Sequence, residues 1–310
     1  CCWFFIWIGQ TPANPLSLRL VTSQIFVRPL PYIALIAAYL IWGGNFVVAK
    51  ITLQEFPPMS LAFLRFALAS LFLAPFFLAQ TKKVKINIKD LPRLIAIGVL
   101  IVTLNITFFF EGIKRTTAID ASVLTLIIPM LSVLAGWWFL KEKVYLANLL
   151  GIALGLIGAA ILVGLPQIVT GSYSVSALIG NVFIILAAIS WVAGAVVAKQ
   201  IMTKYPSLEV TAVAFLVGTL TFFIPASFEY IQNPAWINHV TVLGFFGLAY
   251  MTLLSSISAY FLFEWGLSKT SVISADLFLY IEPFVASLLA VNILGEQISS
   301  SFVTGALLIA

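Results

Sequence analysis

The chain repeats itself. Trp42-Gly43-Gly44-Asn45-Phe46-Val47-Val48-Ala49-Lys50 returns about 149 positions later as Trp191-Val192-Ala193-Gly194-Ala195-Val196-Val197-Ala198-Lys199, with Trp, Val, Val, Ala and Lys in register. Further landmarks keep the same order: Pro57 with Pro206, Pro75 with Pro225, Gly112 with Gly266, Thr116 with Thr270, Pro129 with Pro283, Glu142 with Glu296 and Gly151 with Gly305. The offset grows from about 149 to about 154, which puts the extra residues in or near the third apolar run of the second copy. A fold made from such a chain uses one supersecondary unit twice. The copies occupy residues 30–165 and 177–310, behind a leader at 1–29 and joined by the uncharged stretch Leu165 to Ser176. With no initial Met and an end inside an apolar run at Ala310, the leader is expected to take no part in the fold and the last helix to be truncated.

The medium in which this unit folds follows from composition. With 62% hydrophobic residues, 9% charged residues and a mean hydropathy of +1.12, the chain has too little polar surface to cover a water-soluble core. Ten apolar runs, each long enough to cross about 30 Å of hydrocarbon as a helix, are read near 32–51, 59–80, 93–112, 117–140, 145–164, 177–199, 208–229, 240–267, 271–294 and from 298 onward. A barrel would need polar and apolar residues to alternate over about ten positions, and these runs do not alternate. The net charge of +5 reflects orientation rather than nucleic-acid binding. With the N-terminus in the cytoplasm, Arg19, Arg28, Lys82, Lys83, Lys85, Lys89, Arg93, Lys141, Lys143, Lys199, Lys204 and Lys269 fall on the inner side, and only Lys50, Lys114 and Arg115 on the outer. The adjacent Cys1 and Cys2 supply neither a disulfide framework nor a metal-ligand spacing.

Five spans per copy is an odd number, so the second copy enters the bilayer from the opposite face. Inverted repeats of this kind are an architecture of secondary transporters. The motifs resemble the EamA family of the drug/metabolite transporter superfamily. The resemblance rests on Trp42-Gly43-Gly44-Asn45-Phe46, on Arg65 after Pro57-Pro58, and on Thr116 to Ala121. It continues through Pro129 to Glu142, Gly151-Gly155-Gly158 and Glu282-Pro283 to Gly295-Glu296. It implies an all-α membrane protein of about ten helices in two inverted five-helix repeats, with both termini cytoplasmic. A central cavity would alternate between inward-open and outward-open states to move small polar metabolites such as amino acids across the cell (inner) membrane.

Residues that break the apolar pattern are the candidates for that cavity. Arg65 lies about two turns into the second span, too deep for easy snorkelling, and a charge there must be paired or face water. It reads either as a cavity cation for a substrate carboxylate or as a structural pair. Glu282 stands mid-span before Pro283, which frees the carbonyl near Leu279 and lets the helix bend. Its carboxyl could bind a coupling proton, pair with Arg65 or be satisfied structurally. Asn45 and Asn105 are amides that must find partners, in the cavity or on neighbouring helices. Trp42, Trp191, Tyr260 and Tyr280 offer large faces with one polar atom each, as cavity lining or as packing. Asp276 and Glu264 flank a cytoplasmic loop and read as gate or loop residues. Pro75, Pro225, Pro129 and Pro283 form two matched pairs of kinks. Gly151-Ile152-Ala153-Leu154-Gly155 permits close helix contact within the scaffold or in a weak homodimer.

Enzyme motifs are missing: no HExxH, GxSxG, Walker A or CxxC occurs. The single histidine, His239, sits at a membrane boundary, and Asn105-Ile106-Thr107 is a sequon inside a span. No cofactor or metal is expected. The reading is a secondary carrier, by leading expectation an exporter of amino acids or related solutes. The alternative is a facilitative or proton-coupled carrier of nucleotide sugars or phosphorylated metabolites, for which a lone Arg65 is poorly suited.

Overall fold

The computed structural model describes residues 29–81, 86–141 and 174–298, with isolated positions elsewhere. Among these every regular element is helical, and eight helices are long and apolar enough to cross a membrane. They are α1 Leu30–Thr52, α2 Pro58–Thr81, α3 Ile88–Ile113, α4 Ala118–Phe139, α5 Val175–Ile201, α6 Ser207–Gln232 and α7 Val242–Lys269. The eighth, α8, runs through Val272–Asp276, Leu277–Tyr280, Ile281–Leu289 and Ala290–Leu294. These correspond to expected spans one to four and six to nine. The spans expected at 145–164 and from 298, the leader at 1–29 up to Pro29, Glu142, the Gly151-Gly155 stretch and the Lys82-Lys83-Lys85 cluster lie outside the described residues, apart from isolated positions.

Helices dominate because hydrocarbon offers no partner for backbone polar groups, so each span must satisfy its own. The side-chain distribution is correspondingly inside out. Leu71, Phe72, Leu220, Phe223 and Phe284 are all more than half exposed, whereas Arg65, Glu264, Asp276 and Ser132 are buried. Helix starts are fixed by hydroxyl caps: Thr117 Oγ1 accepts from Asp120 N at 2.9 Å at the head of α4, and Ser174 Oγ accepts from Ala177 N at 3.2 Å at the head of α5.

The prolines act in two ways. Pro75 and Pro225 sit inside α2 and α6, which continue through them. Pro129 and Pro283 follow breaks in α4 and α8. Thr125 O cannot bond the missing N–H of Pro129 and instead accepts from Ile128 N at 2.8 Å, while at the matched place in α8 residues Leu277–Tyr280 tighten into a 3-10 turn. Two π-helical stretches are matched as well, Gly98–Leu104 in α3 and Tyr250–Ser258 in α7. Such wide turns turn some carbonyls away from the regular ladder.

Packing exchanges partners between the copies. α1 packs on α7 and α8, the third and fourth spans of the other copy, and α5 packs on α3 and α4. α2 packs along its own counterpart α6. The copies are interlocked, and the bodies that touch as units are α1 with α7 and α8, and α5 with α3 and α4. Gly43 permits the closest part of this arrangement: a Cβ there would lie 2.8 Å from Val285 Cβ and 3.1 Å from Glu282 O.

Candidate functional site

The two repeated tryptophans meet at the centre of this interlock. The rings of Trp42 on α1 and Trp191 on α5 stand edge to face with centroids 5.2 Å apart. Tyr260 on α7 contacts both, at 5.4 Å and 5.9 Å. Edge-to-face arrays of this kind are favourable beyond the area they bury and give a rigid wall. Around it lies a cavity of about 90 Å³, lined by Trp42, Asn45, Arg65, Asn105, Trp191, Tyr260 and Glu282 among others. That volume accommodates several waters, or a small solute.

Seven of the eight proposed lining residues therefore share one space. The eighth, Tyr280, is half-buried and off the cavity wall. The 3-10 turn before Pro283 presents Leu279 to the cavity in its place.

The polar atoms in this space are unequally satisfied. Arg65 is 1% exposed. Its Nε donates to Ser256 Oγ at 2.6 Å and its Nη2 to Ser255 Oγ at 3.1 Å, while Nη1 is buried without a hydrogen-bond partner. Both serines come from the π-helical stretch of α7. Trp42 Nε1 donates to Ser255 O at 3.0 Å. Its repeat mate has no equivalent bond: the carbonyl matched to Ser255 is that of Ile101, which accepts from Tyr260 Oη at 3.4 Å, and Trp191 Nε1 is left unpartnered. Asn45 Oδ1 is likewise buried and unpartnered. Asn105 Nδ2 donates to Ala187 O at 2.9 Å, tying α3 to α5. Thr125 Oγ1 stands 3.4 Å from Glu282 Oε2. Arg65 and Glu282 thus face one cavity with hydroxyl partners of their own.

This arrangement, on this fold, belongs with known proteins. The EamA-like transporter family model matches residues 29–164 and 178–310. The chain belongs to the EamA-like transporter family. Among its relatives, an uncharacterized transporter of Archaeoglobus fulgidus is 30% identical over 267 residues, which span 86% of this chain and 90% of that one. A probable amino-acid metabolite efflux pump of Escherichia coli K12 is 27% identical over 280 residues, spanning 87% and 88% of the two chains. A solved crystal structure with 17% identity superposes with a TM-score of 0.64 over 90% of this chain and 93% of that one, a likeness of fold.

Sequence reading missed several neighbours of the EamA-like cavity. Tyr39 lines it one turn before Trp42, a spacing that places both on one helix face. Ser255 and Ser256, the clasp on Arg65, were legible as adjacent hydroxyls deep in an apolar run, but their partner was not. Asp276 and Glu264, read as flanking a loop, are 0% and 2% exposed, because α7 and α8 pack against α1 nearly to their shared turn.

Proposed function

We propose that the chain is a secondary carrier that exports amino acids or closely related zwitterionic metabolites by alternating access around the Trp42–Trp191 cavity. The observation that carries this reading is Arg65. Two of its nitrogens are held by serines and the third is buried and unpartnered, on a side chain that lines the cavity. A buried donor left unsatisfied is costly, and a substrate carboxylate would satisfy it with a charge-assisted bond. Trp191 Nε1 adds a second free donor, while Asn45 Oδ1 and Glu282 offer acceptors for an ammonium group. Donors and acceptors in one small cavity complement a zwitterion. The name of the Escherichia coli relative supports the same substrate class.

A phosphorylated solute fits less well, since Arg65 is the only cationic side chain among the described cavity residues. The charge pattern supports an orientation with the Lys199 and Lys269 end in the cytoplasm. The test is counterflow of labelled amino acids in proteoliposomes. Saturable exchange that Arg65→Ala reduces at least tenfold is expected. Normal exchange by a folded Arg65→Ala protein, or conductance without saturation, overturns the proposal.

A further inference from the structure

Two more carboxyl groups are buried in the bundle, just behind the cavity. Asp276 Oδ1 accepts from Tyr39 Oη at 3.0 Å, and Oδ2 accepts from Ser132 Oγ. Glu264 Oε2 accepts from Thr211 Oγ1, and its Oε1 is buried with no hydrogen-bond partner. Each acid stands behind a cavity tyrosine. Tyr39 lines the cavity with its ring and holds Asp276 with its hydroxyl. Tyr260, one turn before Glu264 in α7, lines the same cavity and lies within electrostatic reach of Glu264 and of Arg65. A solute that displaces either ring is therefore felt at a carboxyl group.

The repeat marks these groups as a set. In the other copy Asp276, Glu264 and Glu282 are matched by Ser122, Phe110 and Ile128. Their hydroxyl partners change with them. Tyr39 and Ser132 are matched by Ala188 and Ala286, Thr211 by Ala62 and Thr125 by Leu279. A requirement of the architecture would fall on both copies, and Ser122, Phe110 and Ile128 are also buried. The acids and hydroxyls are thus dispensable for packing at these positions, yet they have been placed together on one side of the pseudo-two-fold. Asp276 and Glu264 lie at the end of the bundle that carries Lys199, Lys204 and Lys269.

We propose that Asp276 and Glu264 are proton-binding groups that, with Glu282, relay protons between the cavity and the Lys269 end, so that export is exchanged for proton entry. Ionisable groups buried in a membrane bundle mark such pathways by default. A proton entering the cavity converts a carboxylate to a carboxylic acid. On release towards the Lys269 end, the O–H bond breaks and the hydroxyls of Tyr39 or Thr211 donate to the restored carboxylate. The charged and titratable groups facing Asp276 are Tyr39 on α1 and Glu282 on α8, Lys199 on α5 meets the α7–α8 turn at Leu267 O and Thr270 O, and α4 contributes none within Ile127–Leu140. Around Glu264 they are Tyr260 and, five residues on from Glu264, Lys269 on α7, Glu209 two residues from Thr211 on α6 and, beyond Tyr260, Arg65 on α2.

The relay rests on the carrier reading, so its test has one arm that needs no solute. In the purified full chain, the infrared band of protonated carboxyl groups is followed across a pH titration. One component of that band is expected to vanish in Asp276→Asn and another in Glu264→Gln. Should either variant fail to fold, Tyr39→Phe and Thr211→Val keep the acids and shift the same components. A titration unchanged across the folded variants overturns the relay. In proteoliposomes, proton uptake driven by an outward gradient of mixed amino acids, read with a trapped pH dye, should fall at least tenfold in each acid variant. Uptake equal to wild type in both overturns it. Absence of amino-acid counterflow in the wild-type protein, with the infrared components intact, instead overturns the choice of solute.

Discussion

Lys50 and Lys199, matched residues of the two copies, grip matched backbone at opposite ends of the bundle. Lys50 Nζ donates to Thr116 O at 2.7 Å, and Lys199 Nζ donates to Thr270 O and, at 2.7 Å, to Leu267 O. Lys50 also meets Glu296 Oε1 at 3.0 Å, and the same carboxylate accepts from Ala118 N and Ile119 N at 2.9 Å and 3.1 Å. Each lysine joins the α1–α7–α8 body to the α3–α4–α5 body, so opening either end of the cavity requires one grip to release. A hydrogen bond to a charged group is worth about 1.5–3 kcal/mol, so removing one shifts the balance of open states roughly tenfold or more. In a background with Cys1 and Cys2 replaced by Ser, a cysteine at the cavity residue Phe109 should label faster from the Lys50 side in Lys50→Met and more slowly in Lys199→Met. Equal rates would exclude the grips as latches.

The two tryptophans should respond differently to loss of their indole nitrogen. Trp42→Phe removes the bond to Ser255 O and is expected to cost about 1 kcal/mol of stability beyond lost packing. Trp191→Phe removes a donor that bonds nothing among the described residues, so its melting temperature should stay closer to wild type. Its solute affinity should instead fall about fivefold, as expected for one neutral hydrogen bond. Thermal unfolding and half-saturation in counterflow separate the two.

Arg65 and its clasp have a built-in control in the other copy, where Ala214, Ile101 and Val102 occupy the matched positions. The triple substitution Arg65→Ala, Ser255→Ile and Ser256→Val copies that apolar set. It should fold with stability within about 1–2 kcal/mol of wild type, since well-packed apolar replacements of buried charges are often neutral. Transport should be lost. Removing only the serines leaves the guanidinium under-satisfied at a cost of about 1–3 kcal/mol, so Ser255→Ala with Ser256→Ala should be less stable than the triple variant.

Gly43 sets how closely α1 lies on α8. An added methyl would sit 2.8 Å from Val285 Cβ and 3.1 Å from the backbone oxygen of Glu282. Overpacking of this kind costs about 1–3 kcal/mol. Gly43→Ala should therefore lower the melting temperature and also displace Glu282. Val285→Ala in the same chain should recover part of the loss.

The repeat and the spans were legible because hydrocarbon imposes a single demand on long stretches of sequence: apolar side chains with internally satisfied backbone. The cavity was legible for a related reason. Arg65, Asn45 and Glu282 are expensive in apolar runs, and cost singles them out one at a time. Pairings were hidden, because Arg65 with Ser255 and Tyr39 with Asp276 are separated by 190 and 237 positions and no local pattern announces them. Tyr280 illustrates the same limit. Its helical phase is set by the 3-10 turn ahead of Pro283, so a regular count along the helix misplaces it.

The exchange of partners between the copies bears on how the chain is made. When the first half leaves the ribosome, α1 has neither α7 nor α8 to lie against, and Arg65 has no serines to hold it. The translocation machinery or lipid must shelter that surface until α7 and α8 have been synthesised. The two copies thus mature together, and a cut between them leaves the cell with two incomplete pieces rather than one working half.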